Sequence, residues 1–349
     1  MSPPRGGSRG GGGGGGAKKS GKKPMSAAAK KAVEAKKIRH AAASVRKADR
    51  PGAARAASRP PARGAAAGKG GPAGRTGAGA AGRGQGARKQ GAPRGLGGDQ
   101  VEGRQAVREL LLAGNRRIRE IIVAEDQDDT EVLQDIVDLA QDLKVPVREV
   151  TRTRLFAEAR TESPQGVVAH AAELPEHDLE ELVRKKSPQG VPPFLLAVDG
   201  VTDPGNLGAL LRSAECAGVT GVVLPKHRAV HVTPTVTKAA AGAVEYLPMA
   251  LVGGLPAALR QLRDAGVWVI GLDAGGDTDL FDLEVADQAV CLVLGAEGKG
   301  LSRLVRERCD AVAGIPLLGQ LASLNVSAAG ALACFEVTRR RIASRKGSA

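Results

Sequence analysis

The chain has 349 residues, 42% of them hydrophobic but only 2% aromatic, and a formal net charge of +14. That charge is a property of one end: residues 1–98 carry 23 Lys or Arg against Glu34 and Asp49, which leaves residues 99–349 at −7. Cys216, Cys291, Cys309 and Cys334 have no CxxC spacing and the five histidines form no HExxH-like cluster, so no metal site is expected. Dispersed thiols suit a reducing cytoplasm. No window approaches the roughly 18 apolar residues of a membrane helix, and no apolar signal region opens the chain, so no membrane association is expected.

Residues 1–98 are low complexity: a Gly run at 10–16, a Lys/Ala stretch at 27–50, then Arg/Gly/Ala/Pro repeats. Every Phe, Tyr and Trp lies beyond residue 98, so this tail has nothing with which to build a core and is expected to be disordered. Its charge density predicts salt-sensitive, sequence-blind attraction to nucleic-acid phosphates; the competing reading is a solubilising extension.

Residues 99–174 read as a small α/β domain. Helical spacing predicts helices over 105–113, 129–143 and 153–159, and β-branched runs predict strands over 118–124, 145–150 and 166–171. Residues 175–193, acidic then basic and proline-bearing, read as a linker with one short helix. From Phe194 to the end, residues 194–349, strands alternate with helices. Strands are predicted at 194–199, 221–224, 244–247, 267–272, 289–294 and 311–316, and helices at 206–217, 233–241, 255–265, 301–308 and 327–344. That alternation predicts an α/β fold with a mostly parallel sheet, whose ligands bind beyond the carboxyl ends of the strands.

Three turns fall at such ends: Asp199-Gly-Val-Thr-Asp-Pro-Gly-Asn206, Gly295-Ala-Glu-Gly-Lys-Gly300 and Gly319-Gln-Leu-Ala-Ser-Leu-Asn325. Each alone is an ordinary turn, and Asn206 alone reads as a helix cap. In order, DGVTDPGNLGALLRSA, LGAEGKGLS and IPLLGQLASLNVSAA resemble the three motifs of the SpoU (TrmH-type) branch of the SPOUT RNA 2′-O-methyltransferases. VEGRQAVRELL with PQGVVA resembles that family's small RNA-binding domain, although Pro164 stands where relatives often have His. The resemblance covers nearly all of residues 99–340.

The resemblance implies a C-terminal deep trefoil knot, a topology that periodicity does not reveal. It also implies S-adenosyl-L-methionine held by Leu272, Gly295, Ile315, Ser323 and Leu324, with Asn206, Arg212, Glu297 and Asn325 around the reacting ribose. Guanidinium groups keep their proton, so Arg212 is either the base or a phosphate clamp with another acceptor taking the proton. Lys299 and Arg303 are candidates for RNA phosphates. A homodimer packing through the knot domain is implied, with the last helix (Ala328, Leu332, Phe335) a candidate contact. The substrate expected is RNA, a 23S rRNA guanosine, with a tRNA or another rRNA site as runner-up. A non-catalytic ribosome-assembly factor is the reading from a different class. A phosphate-loop hydrolase is disfavoured because no GxxxxGK[ST] exists.

Overall fold

In the computed structural model, residues 95–128, 130–184, 191–227 and 231–347 are described. Most of the basic tail, Asp129 at the expected helix start, and residues 185–190 of the expected linker lie outside them.

Two sheets organise the molecule. The first has four strands in the order β1-β4-β2-β3. Its strands are β1 (Gln100–Glu102), β2 (Ile118–Ala124), β3 (Val147–Val150) and β4 (Val167–Ala171), joined through helices α1 (Arg104–Ala113), α2 (Glu131–Asp142) and α3 (Arg152–Glu158). β1 and β2 flank β4 antiparallel, and β3 runs parallel to β2. Helices α1 and α2 cover one face through Val107, Leu110, Ile136 and Leu139, while Leu155 of α3 covers the other. The expected linker contains a short helix, α4 (Leu179–Arg184).

The second sheet has seven strands: β5 (Phe194–Val198), β6 (Gly221–Pro225), β7 (Met249–Val252), β8 (Trp268–Leu272), β9 (Thr278–Asp279), β10 (Val290–Leu294) and β11 (Ala311–Gly314). They lie in the order β7-β6-β5-β10-β8-β11-β9, and every pairing is parallel. Parallel sheets need both faces covered, which is why β5 and β10 are unbroken apolar runs. Phe194, Leu196 and Val198 feed one core and Leu195 and Ala197 the other. The covering helices are α5 (Pro204–Cys216), α6 (Pro234–Ala239), α7 (Leu255–Asp264), the single-turn α8 (Arg303–Arg306) and the long α9 (Val326–Gly347).

Register sets the position of the site. Leu294 pairs with both Val198 and Leu272, so β5, β10 and β8 end level and their following loops emerge side by side. After β11, which lies outside β8, the chain returns to pack α9 against α5 and β10. A Cβ on Gly330 would sit 2.4 Å from the tip of Leu210 and 3.0 Å from that of Leu294, so any larger residue would push both leucines aside. Thr338 Oγ1 donates to Ala217 O at the far end of α5 (2.6 Å).

Two expected features are corrected. Residues 244–247 are not a strand: Ala243–Glu245 is a 3₁₀ turn and the strand begins at Met249. The turn is where the first sheet docks. Arg116 reaches Glu245 in an ion pair whose side chains are 3% and 1% exposed, and Asn115 Nδ2 donates to Glu245 O (2.7 Å). That docking holds the turn away from strand geometry. The helix expected over 301–308 shrinks to α8 because the residues before it fold back as a closed turn. Two features lacked any sequence expectation: β1, whose Gln100 and Glu102 are buried polar residues, and β9 with the 3₁₀ turns at Leu280–Asp282 and Glu284–Asp287.

Candidate active site

The turn 295–300 closes on itself. Ala296 N donates to Gly300 O (3.0 Å) and Gly300 N to Ala296 O (2.9 Å). A Cβ on Gly295 would fall 2.2 Å from the Gly300 carbonyl carbon, so glycine is required there by the turn's own backbone. Gly298 and Gly300 take positive φ, 74° and 63°, the conformation that side chains resist. Glu297 therefore stands at the tip of a tight loop, six residues before α8 and outside any helix first turn.

Two aspartates lock that loop to its neighbours. Asp199, after β5, accepts from Ser302 N (2.7 Å). Asp273, after β8, accepts from Leu301 N (3.3 Å) and Gly275 N (3.1 Å) and pairs with Arg306 (3.5 Å). Sequence reasoning passed over Asp273; an acidic residue directly after a buried strand and before Ala-Gly-Gly was the available signal.

Asp203 caps α5 by accepting from Asn206 N (2.6 Å), which fixes Asn206 on the first turn with its amide facing Glu297. Asn206 Nδ2 donates to Glu297 Oε1 (3.1 Å); Asn325 Nδ2 donates to Glu297 Oε1 (3.0 Å) and to Asn206 Oδ1 (2.9 Å). Three residues spread over 119 positions thus close a hydrogen-bonded triangle. Asn325 is held from behind: its Oδ1 accepts from Ser327 N (2.9 Å) and Ser327 Oγ (2.6 Å), which caps α9.

Arg212 is not part of this triangle. Six residues after Asn206 is about 9 Å along the helix and roughly 240° around it. It lies on the third turn of α5, exposed, and its side chain makes no hydrogen bond or ion pair among the described residues. Lys299 is exposed, and Arg303 pairs with Glu307 (3.4 Å).

Beside the triangle lies a cavity of 580 Å³ in which all five expected cofactor residues, Leu272, Gly295, Ile315, Ser323 and Leu324, take part. Glu297 and Asn325 also line it, so two corners of the triangle face into it. The volume falls within the range of small-molecule sites, about 300–1,000 Å³. Leu272, Ile315 and Leu324 supply flat apolar wall, the 295–300 turn supplies main-chain groups, and Asp273 supplies one carboxylate. That set fits an adenosine-bearing cation. Among the described residues no group of His, Cys, Asp and Glu could hold a metal, and no helix is long and apolar enough to cross a membrane.

Residues 193–335 match the SpoU rRNA Methylase family, and residues 100–177 match RNA 2′-O ribose methyltransferase substrate binding. The chain belongs to the SpoU rRNA methylase family. A 23S rRNA (guanosine-2′-O-)-methyltransferase of Pseudomonas aeruginosa is 41% identical over 246 residues, 70% of this chain and 97% of the relative. Its counterpart from Photobacterium profundum is 37% identical over 249 residues, 70% of this chain and 99% of the relative. Among solved structures, an AdoMet-bound rRNA methyltransferase from Sinorhizobium meliloti superposes with a TM-score of 0.57 at 26% identity, covering 69% of this chain and 87% of that one. The two SpoU matches fall one on each sheet, so the family pattern spans both the site and the small sheet docked at the Glu245 turn.

Proposed function

We propose that this enzyme methylates the ribose 2′-hydroxyl of a guanosine in 23S rRNA. S-adenosyl-L-methionine supplies the methyl, already activated on a sulfonium. The observation that carries the reading is the Asn206–Glu297–Asn325 triangle on the wall of the 580 Å³ cavity. Because the donor is activated, the chain's own work is alignment and proton management.

Leu272, Ile315 and Leu324 wall the adenosine, and the backbone at Gly295 and Ser323 fixes its polar edges. Glu297 and the two asparagines present a fixed set of acceptors and donors to the incoming ribose, preorganised because each is already held by another. Arg212, exposed and without an internal partner among the described residues, is free to clamp an RNA phosphate in two-pronged fashion and so orient the hydroxyl.

Residues 99–174 serve as the RNA-binding domain and 194–349 as a knotted methyltransferase domain. The return of α9 from beyond β8 to α5 supports the knot. Leu332, Phe335 and Ile342, which are 44%, 48% and 49% exposed, lie on one side of α9 with Ala328. Their spacing of three and seven puts them on one face, interrupted only by Arg339, which supports a homodimer through this helix. The 1–98 tail adds non-specific affinity for RNA, and the enzyme works in the cytoplasm.

The test is methyl transfer from labelled S-adenosylmethionine to unmodified 23S rRNA, with the modified nucleotide mapped by primer extension. Arg212→Ala is expected to abolish transfer and leave cofactor binding intact. Tight RNA binding without transfer by the wild type sinks the reading, and a product on tRNA redirects it.

A further inference from the structure

The cofactor cavity lies at the carboxyl end of β8. At the other end of the same strand is a second cavity, of 570 Å³, that the methyl-transfer site does not use. It is lined by Arg260 and Arg263 from α7, Arg308 after α8, Trp268 at the start of β8, and Asp264 and Asp310. Trp268 is the only tryptophan in the chain and is 41% exposed, whereas the other four residues of its strand are buried. Phe156, Tyr246, Phe281 and Phe335 are exposed as well, so what sets Trp268 apart is the set of cations around it.

That indole has a hydrogen-bond partner. Its Nε1 donates to Gln288 Oε1 (2.9 Å), and the Gln288 carbonyl in turn accepts from the buried Arg341 (2.6 Å). Arg341 also donates to Ala286 O (2.8 Å), Pro192 O (2.9 Å) and Pro193 O (3.2 Å), so the support is anchored in the core. The cations are arranged as well. Asp310 accepts from Val269 N (2.8 Å) and pairs with Arg263 (2.7 Å), so this carboxylate orients a guanidinium and its charge is spent. Arg260 and Arg308 are exposed, and their side chains make no hydrogen bond or ion pair among the described residues.

We propose that this cavity is a second RNA contact, in which a splayed nucleotide stacks on Trp268 while Arg260 and Arg308 take flanking phosphates. An aromatic face beside guanidiniums that have no ion pair among the described residues is the pairing that single-stranded or looped RNA demands: stacking for the base and forked donors for the phosphate. The five-residue strand separates this contact from the methyl-donor cavity by about 13 Å, so one folded RNA reaches both. The inference rests on RNA as the substrate, and it adds a holding point on the face away from the chemistry.

The single tryptophan supplies its own reporter. Titrating a short single-stranded RNA oligonucleotide, and separately unmodified 23S rRNA, into the full chain is expected to quench its fluorescence at saturation. S-adenosylmethionine alone leaves the signal unchanged. Arg260→Glu with Arg308→Glu, both exposed, is expected to remove the quench, weaken RNA binding about tenfold and raise the KM for RNA while cofactor affinity holds. Fluorescence that ignores both RNAs, or a double variant that binds RNA as the wild type does, overturns the proposal. So does a signal that responds to protein concentration and not to RNA, which would assign the cavity to a protein interface. Failure of methyl transfer with the quench intact would instead count against the methyltransferase reading alone.

Discussion

Asn325→Asp separates two tasks that one side chain performs. Through Oδ1, Asn325 caps α9, accepting from Ser327 N (2.9 Å) and Ser327 Oγ (2.6 Å); through Nδ2 it donates to Glu297 (3.0 Å) and Asn206 (2.9 Å). Aspartate keeps the acceptor and removes both donors. As a cap it equals asparagine, and its charge gains about 0.3–1 kcal/mol at a helix N-terminus. Against that stands repulsion from Glu297, about 1 kcal/mol for charges near 4 Å in water. Those two nearly cancel, and the loss of the two Nδ2 hydrogen bonds, about 0.5–1.5 kcal/mol each, leaves the variant about 1–3 kcal/mol less stable. The triangle opens, because Glu297 and a second carboxylate no longer share a proton donor, and the loss of one preorganised donor group lowers the single-turnover methyl-transfer rate about 100-fold. Asn325→Ala is the control: it loses the cap, at about 1 kcal/mol, as well as the donors. Urea midpoints paired with single-turnover transfer on saturating RNA distinguish the two. If Asn325→Asp transferred methyl within about threefold of wild type, the triangle would be a structural brace with no part in the reaction.

Three further outcomes follow from the geometry. Gly295→Ala forces a Cβ to within 2.2 Å of the Gly300 carbonyl carbon and must open the turn. S-adenosylmethionine affinity measured by calorimetry should then fall at least about tenfold, since the wall's main-chain groups move; an unchanged Kd would remove this turn from the cofactor site. Arg341→Leu strips the donor from four backbone carbonyls in a site where burial has pushed the guanidinium down to about 10, still charged at neutral pH. Urea denaturation should show a loss of about 2–4 kcal/mol, and a loss below about 1 would mean that water replaces the guanidinium there. A thiol reagent at neutral pH should label exposed Cys216 first. Burial pushes Cys309 up to about 11 and Cys334 up to about 12, and raises Cys291 further, so half-buried Cys309 reacts more slowly and buried Cys291 and Cys334 only as the fold opens. Prompt labelling of Cys334 in the native protein would contradict the packing of α9.

Most of the large sheet was readable in the chain because its strands are buried on both faces. Phe194–Val198 and Val290–Leu294 are unbroken apolar runs, each ended by a glycine- or proline-bearing turn, and these are local signals. The three motif turns were also local, and their order carried the family resemblance. The failures share a cause. Residues 244–247 have the composition of a strand, yet Arg116, 129 positions away, buries its charge against Glu245 and holds a 3₁₀ turn there. β1 looked polar because the partners of Glu102 are distant: its carboxylate accepts from the backbone of Arg160 (2.6 Å) and Thr161 (3.1 Å).

Asp203 and not Asn206 caps α5, but the ends of most strands of the large sheet and the three turns that carry Asn206, Glu297 and Asn325 were legible along the chain. Those are properties of neighbouring residues, set by backbone freedom and burial. Packing between distant segments makes these three meet in one hydrogen-bonded triangle, sets Arg212 apart from it, and leaves the lone tryptophan open beside two arginines that have no ion pair among the described residues. The register of Leu294 with Val198 and Leu272 brings the turns together, and register is a property of the assembled sheet. No spacing along the chain encodes it, because the energy that fixes it is burial shared between strands that are not neighbours in sequence.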